Sequence, residues 1–231
     1  VQLSYVADTD LFLQFGVEAT NGRTFPSAGS EDLIGAWTGF ANVGGDFGIE
    51  HSWQLGLSYY DVGDVRERES GLEDQQGVLF DGESDIWGVD FVYKWTPNGN
   101  INQRHFILQA EYFQRDEEGQ LTLTDSAIPT TNYLGEQEGG YIQGVYQFIP
   151  KWRTGIRYDY VDTDNNADNN AVLIASDLAD ADDNPERYSI MLEWLPSEFS
   201  RIRAQYNRDE SSSESDNQFF IQYTHSLGSH G

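Results

Sequence analysis

Residues 152–160 read WRTGIRYDY, and residues 87–95 read WGVDFVYKW. In the first, Trp152, Thr154, Ile156, Tyr158 and Tyr160 alternate with Arg153, Gly155, Arg157 and Asp159. In the second, Trp87, Val89, Phe91, Tyr93 and Trp95 alternate with Gly88, Asp90, Val92 and Lys94. A period of two is that of a β-strand, whose successive side chains point to opposite faces. One face is apolar and aromatic; the other is polar and carries charges of both signs. The same alternation runs through Trp53–Tyr60 and Tyr188–Trp194, while helical periodicity is scarce.

Working outward, about eleven such segments are legible, near 1–7, 11–21, 33–43, 52–64, 85–96, 104–115, 140–149, 151–161, 186–195, 199–208 and 217–227. Each approaches the roughly 9–11 residues that a tilted strand needs to cross a bilayer. Short connections fall at Asp8-Thr9-Asp10, around Gly44-Gly45-Asp46, and at Pro97-Asn98-Gly99, Pro150-Lys151 and Pro196-Ser197. Longer ones at 22–32, 66–84, 116–139, 162–185 and 209–216 alternate with them. Outer-membrane barrels have short periplasmic turns and longer extracellular loops. The expectation is an all-β, antiparallel up-and-down transmembrane β-barrel forming one domain over 1–231. A soluble β-sandwich is the competing fold; it would bury the Trp and Tyr positions in one core.

The long loops set the direction. With those loops outside, strand 217–227 runs toward the periplasm and Val1 lies at the extracellular end. Bacterial single-chain barrels have even strand numbers, and an open edge leaves unpaired backbone groups in lipid. The reading therefore expects at least 12 strands in the complete protein, with N-terminal strands lying before Val1.

Composition agrees with an exported barrel. Lysine plus arginine total 13 against 39 acidic residues, a net charge of −26. Such acidity argues against nucleic-acid binding, because the phosphate backbone repels it. Aromatics at 14% and 23 glycines do not fit a disordered acidic chain. There is no cysteine, so disulfides and thiolate metal sites are excluded. Nor does any apolar run reach the length of a transmembrane helix, which a barrel does not need.

Two sets of residues stand out. Tryptophans Trp95, Trp152 and Trp194 lie beside short turns, with Tyr59, Tyr112 and Tyr160 toward the long connections, as two interfacial girdles require. The polar face carries Asp90, Lys94, Glu111, Arg153, Arg157, Asp159, Glu193, Arg201 and Arg203. Charges lining a pore set ion selectivity, so these are selectivity candidates; the plainer reading is an interior that pairs its own charges. Acidic runs such as Glu67, Glu69, Glu73, Asp74, Asp81 and Glu83 read as solvated loop charges, or as bridges through divalent cations to lipopolysaccharide.

Metal and catalytic signals are thin. His225 and His230 are candidate zinc ligands without a third partner. Asp162-x-Asp164-x-Asn166-x-Asp168 is a partial calcium pattern, with Ala167 where glycine is needed and Leu173 where a bidentate glutamate belongs. No resident cofactor is expected, with zinc or calcium as the only candidates. There is no G-x-S-x-G elbow, P-loop or H-E-x-x-H, and His51, His105, His225 and His230 form no recognisable arrangement. On that ground no enzymatic activity is expected.

Five stretches resemble a proteobacterial family of zinc-regulated, TonB-dependent-receptor-like outer-membrane proteins: Thr9–Gly22, Gly35–Asp46, Tyr141–Asp159, Leu192–Asp209 and Gln218–Gly231. The resemblance implies a longer outer-membrane barrel whose further part precedes Val1, a last few C-terminal residues beyond Gly231, and zinc-related uptake. The functional expectation is a porin-like channel for small solutes or ions, in contact with outer-membrane lipid and lipopolysaccharide, alone or in an oligomer or complex. The alternatives are a structural or interaction barrel with a plugged lumen, and a receptor whose plug lies upstream.

Overall fold

A computed structural model describes residues 1–27, 34–63, 65–70, 77–124, 126–176, 178–179, 184–211 and 214–227. The period-two segments form strands β1 (Gln2–Val6), β2 (Phe12–Thr20), β3 (Ala36–Phe47), β4 (His51–Asp61), β5 (Val65–Ser70) and β6 (Val78–Trp95). They continue as β7 (His105–Leu123), β8 (Thr131–Ile149), β9 (Trp152–Ala167), β10 (Glu186–Ser197), β11 (Ser200–Glu210) and β12 (Asp216–His225). All pairs are antiparallel. The sheet follows chain order from β1 to β12, except that β5 stands aside and pairs only with β6.

Register keeps like faces together. Trp152 lies opposite Trp194, Ile156 opposite Ile190 and Tyr158 opposite Tyr188. On the other face Arg153 is opposite Glu193, and Glu193 is opposite Arg203. A slip of one residue would move every side chain to the wrong face. The apolar face is left uncovered: Ile156 is 67% exposed, Phe219 66% and Ile221 74%. Large contiguous apolar exposure of this kind marks a surface meant for an apolar environment.

Several connections differ from the sequence reading. Strands β6, β7 and β8 run for 18, 19 and 19 residues. At about 3.3 Å per residue the longest measure roughly 60 Å along the strand, twice the ~30 Å hydrocarbon thickness. Residues 78–84, 116–123 and 131–139, expected in loops, are therefore strand. Their acidic composition hides an apolar alternation. Val78, Phe80, Leu121, Leu123 and Tyr133 sit on the polar-face side and build a buried cluster with Val62, Val65, Val172 and Leu173. Helix α1 (Asn170–Ala175) supplies the last two, and the Asn169 side chain caps it by accepting from the Ala171 N–H at 3.1 Å. Gly44-Gly45-Asp46 lies inside β3, with the turn at 48–50 and Gly48 at φ +67°, a left-handed value that suits glycine. Pro196-Ser197 ends β10. The strict short–long alternation also breaks, because the connection 211–215, at the end of the sheet expected to carry long loops, is shorter than the one at 96–104 at the opposite end.

The extension has a polar clamp. Arg68 donates from Nη1 and Nη2 to both oxygens of Glu117, at 2.6 and 2.9 Å, and from Nη1 to the Pro26 carbonyl at 2.9 Å. Its guanidinium lies 4.6 Å from the centre of the Phe80 ring, and Arg115 lies 5.1 Å from the Phe25 ring. Arg115 adds a second positive charge here, with Nε 3.8 Å from Glu117 Oε1. On the outward face of the same strands, Asp61, Asp85, Asp116, Glu136 and Asp164 stand directly opposite one another in a continuous cross-strand row.

Because Phe80 fills this cluster, Phe80→Ala is expected to cost about 3–5 kcal/mol locally. Hydrogen exchange should accelerate at 78–84 and 116–123 while the lower parts of β6 and β7 keep their protection. Uniform loss of protection along both strands would refute a separately packed extension.

Candidate functional site

The polar face is uneven in sign, with carboxylates in excess on β6 and β7 and arginines in excess on β9 to β11. Asp90 on β6 lies directly opposite Glu111 on β7, a like-charge pair that weakens strand pairing unless water or counterions intervene. Gly56 on β4 leaves room for Asp90, since a Cβ there would stand 1.9 Å from Asp90 Oδ2. Beyond Glu111 the same level continues through Tyr141, Asp159, Arg187 and Asp209.

The guanidinium groups gather on β9, β10 and β11. Glu193, only 1% exposed, accepts from Arg153 Nη2 at 2.8 Å and from Arg203 Nη2 at 2.7 Å, and Arg201 Nη1 lies 3.5 Å away. Three guanidiniums thus share one carboxylate. Arg201 also reaches Thr224 Oγ1 at 3.3 Å, whereas Arg153 Nε is buried without a hydrogen-bond partner. One level outward, Arg157 donates to Asp159 Oδ1 from Nη2 at 2.6 Å and from Nε at 2.8 Å, and stacks 3.6 Å from the Tyr141 ring centre. Arg187 pairs with Asp209 through Nε at 3.0 Å.

Of the nine charged residues singled out in the sequence, six fall in these two groups: Arg153, Glu193, Arg201 and Arg203 in one, Arg157 and Asp159 in the other. Asp90 stands apart on β6, while Glu111 on β7 reaches the second group through Tyr141, which lies opposite it and carries Arg157 over its ring. Lys94 lies opposite Ser52 and Ile107, beside a cavity of about 590 Å³ that Asp10 and Asp46 also line. Sequence reasoning missed Arg187, Asp209 and Tyr141. All three share the parity of charged neighbours already read as polar-facing, which was the available signal.

Aromatic residues close the apolar face at both ends. Trp152 and Trp194 stack with centroids 6.0 Å apart, and Trp95 sits opposite His51 and Phe106 near the short turns. At the other end the hydroxyls of Tyr59 and Tyr112 donate to Asp85 and Glu138, and Tyr160 stacks on Tyr158.

The metal expectations fare differently. His225 stacks on Tyr223 at the end of β12, and His230 lies outside the described residues. Asp162, Asp164 and Asn166 are consecutive same-face positions of a strand, so the extended backbone spreads them instead of curling them around an ion. Among the described residues no group of three or more His, Asp or Glu is placed to hold a metal ion.

Comparison with known proteins follows from this geometry. A loop L8 deletion mutant of OmpT, an outer membrane protein of Vibrio cholerae, superposes with a TM-score of 0.55 at 14% identity over 97% of this chain and 62% of that chain. Outer-membrane-expressed OmpT of the same organism gives 0.54 at 13% identity, over 97% and 64%. The fold is that of an outer-membrane β-barrel. An Aquifex aeolicus protein described as uncharacterized is 29% identical over all of this chain and half of its own length. The chain thus spans half of that relative and under two thirds of the OmpT chains. No family model matches.

Two expectations are corrected. The solved structures sharing the fold are OmpT barrels, not TonB-dependent receptors, so the resemblance to the zinc-regulated receptor-like family does not hold. Its quoted stretches fall on β2, β3, β8 to β11 and β12, and their alternation and turn residues are what any barrel of this topology needs. The exclusion of an enzyme is likewise overturned: with an OmpT-type barrel as its framework, the chain carries a fold on which different activities are built, and absent motifs exclude none of them.

Glu193→Gln leaves three guanidiniums around a neutral amide. It is expected to destabilise the folded barrel by roughly 3 kcal/mol, the usual cost of orphaning a buried charge network, read as a lower urea midpoint in lipid vesicles. Arg201→Gln, the longest of the three contacts, is expected to cost less than a third of that. Equal midpoints for Glu193→Gln and the parent would contradict a compensating role for this carboxylate.

Proposed function

We propose that the chain forms part of the wall of a porin-like channel that passes small hydrophilic solutes and ions across the outer membrane. The observation that carries this reading is the polar face uneven in sign, with Asp90 and Glu111 on one arc and the arginines around Glu193 on another. Charges on a barrel's inner face are costly unless paired or hydrated, and their surplus over available partners favours a water-filled lumen. Rings and arcs of charge set which ions pass. On this reading the apolar face meets lipid, the tryptophan and tyrosine rows lie at its two interfaces, and the carboxylates above Tyr59 and Tyr112 face the lipopolysaccharide layer.

A plugged, structural barrel is the second reading. It is favoured by the apolar cluster around Phe80, Leu121 and Val172, which occupies the polar-face side at the outer end.

The test is stepwise conductance of the full-length protein in planar bilayers. Discrete openings in potassium chloride are expected. In a salt gradient, the double variant Arg153→Gln/Arg203→Gln should shift the reversal potential toward cation selectivity, as fixed wall charge dictates. A silent membrane with correctly folded protein would sink the channel reading and leave the plugged one.

A further inference from the structure

We infer that the groove between Arg157 and Arg203 is a binding subsite for a small oxyanion, the carboxylate or phosphate group of a passing solute. The inference rests on the channel reading for how a solute arrives, but binding itself needs no conduction.

The groove encloses about 210 Å³ and is lined by Gln143, Arg157, Ser189, Arg203 and Gln205, with Met191 and Val145 at its apolar side. Gly155 makes the space. It sits between Val145 and Met191 on adjacent strands, and a Cβ there would meet the Met191 methyl at 2.7 Å and Val145 Cγ2 at 3.2 Å. Liquid water occupies about 30 Å³ per molecule, so the volume suits an oxyanion with part of its hydration shell.

Donor geometry supplies the chemistry. Arg157 spends Nε and Nη2 on Asp159, and Arg203 spends Nε and Nη2 on Glu193. Each has Nη1 left, and in both it ends on a neutral amide of the groove: Arg157 on Gln143 Oε1 at 3.3 Å, Arg203 on Gln205 Oε1 at 3.5 Å. Hydrogen bonds of that length are near the limit of being bonds at all. An oxyanion between them exchanges two long bonds to neutral amide acceptors for ion-pair bonds at about 2.7–2.9 Å. Ser189, on the strand between the two arginines, adds a hydroxyl donor.

Charge points the same way. Among the described residues Arg153, Arg201 and Arg203 have a single carboxylate, Glu193, within 4.0 Å. Two positive charges are therefore uncompensated beside the groove. A neutral sugar gains no ion pairing from this arrangement, and a cation is repelled.

The experiment measures inorganic phosphate binding to the folded full-length protein by titration calorimetry in detergent, alongside block of bilayer current by phosphate in a chloride background. Saturable phosphate binding is expected, with no response to glucose. Arg157→Gln and Arg203→Gln should each weaken it at least tenfold. Arg203→Lys should recover only part, because a point charge lacks the fork. Arg208→Gln, an exposed arginine paired with Glu210 on the opposite face, should change nothing. Heat-modifiable migration confirms that each variant is folded. Phosphate binding that survives both glutamine variants overturns the subsite, as does a conducting protein that binds no phosphate. Phosphate bound by a protein that never conducts supports the subsite and removes the channel reading.

Discussion

Backbone hydrogen bonding in lipid governs everything else in this molecule. A strand crossing hydrocarbon has no water to satisfy its N–H and C=O groups, so each must pair with a neighbouring strand. Continuous antiparallel pairing then carries one parity across the whole sheet. Once Trp152 faces outward, Trp194, Ile202 and Tyr223 do too, and Arg153, Glu193 and Arg203 are brought to the other side at the same level. The arginine cluster is thus a product of register. No single strand contains it; it exists because three strands are aligned to the residue.

The large negative charge of the chain is distributed by the same rule. Where strands cross the apolar zone, the outward face carries aromatic and aliphatic side chains, and the inward face holds nearly all of the arginine. Carboxylates concentrate above the tyrosines, on the extended hairpins. Those hairpins need their own source of stability outside the bilayer, and they have it in a soluble-type arrangement: an apolar cluster under α1, with a buried bidentate Arg68–Glu117 pair beside it. The molecule therefore uses two kinds of packing along the same strands. Below, the apolar side faces out; above, it faces in.

That inversion explains what was legible in the sequence. Alternation with tryptophan and tyrosine at both ends marked the crossing segments, and parity alone placed Arg153, Arg157, Glu193, Arg201 and Arg203 on one face. The extensions were misread because Asp116, Glu117 and Glu118 look like a solvated loop, whereas Glu117 turns inward to Arg68 and its neighbours turn out. Gly44-Gly45 reads as a turn because glycine punctuates loops, yet in a barrel strand it also leaves room for neighbours. What the arginines share could not be read at all. That Glu193 serves three of them, and that Gly155 opens a space between two of their levels, depends on cross-strand register, which turn lengths determine and local sequence does not announce.

The row Asp61, Asp85, Asp116, Glu136 and Asp164 has a mechanical consequence. Adjacent positions across antiparallel strands lie about 5 Å apart, inside the ~8 Å screening length of physiological saline. Counterions therefore soften this repulsion without cancelling it, and the outward face of the hairpins behaves as a charged edge under lateral tension. The apolar cluster on the reverse side opposes that tension, much as the two layers of a bimetal strip oppose each other. Repulsion along this row is thus greater in dilute medium than in saline, and the apolar cluster behind it is what holds the strands together against it.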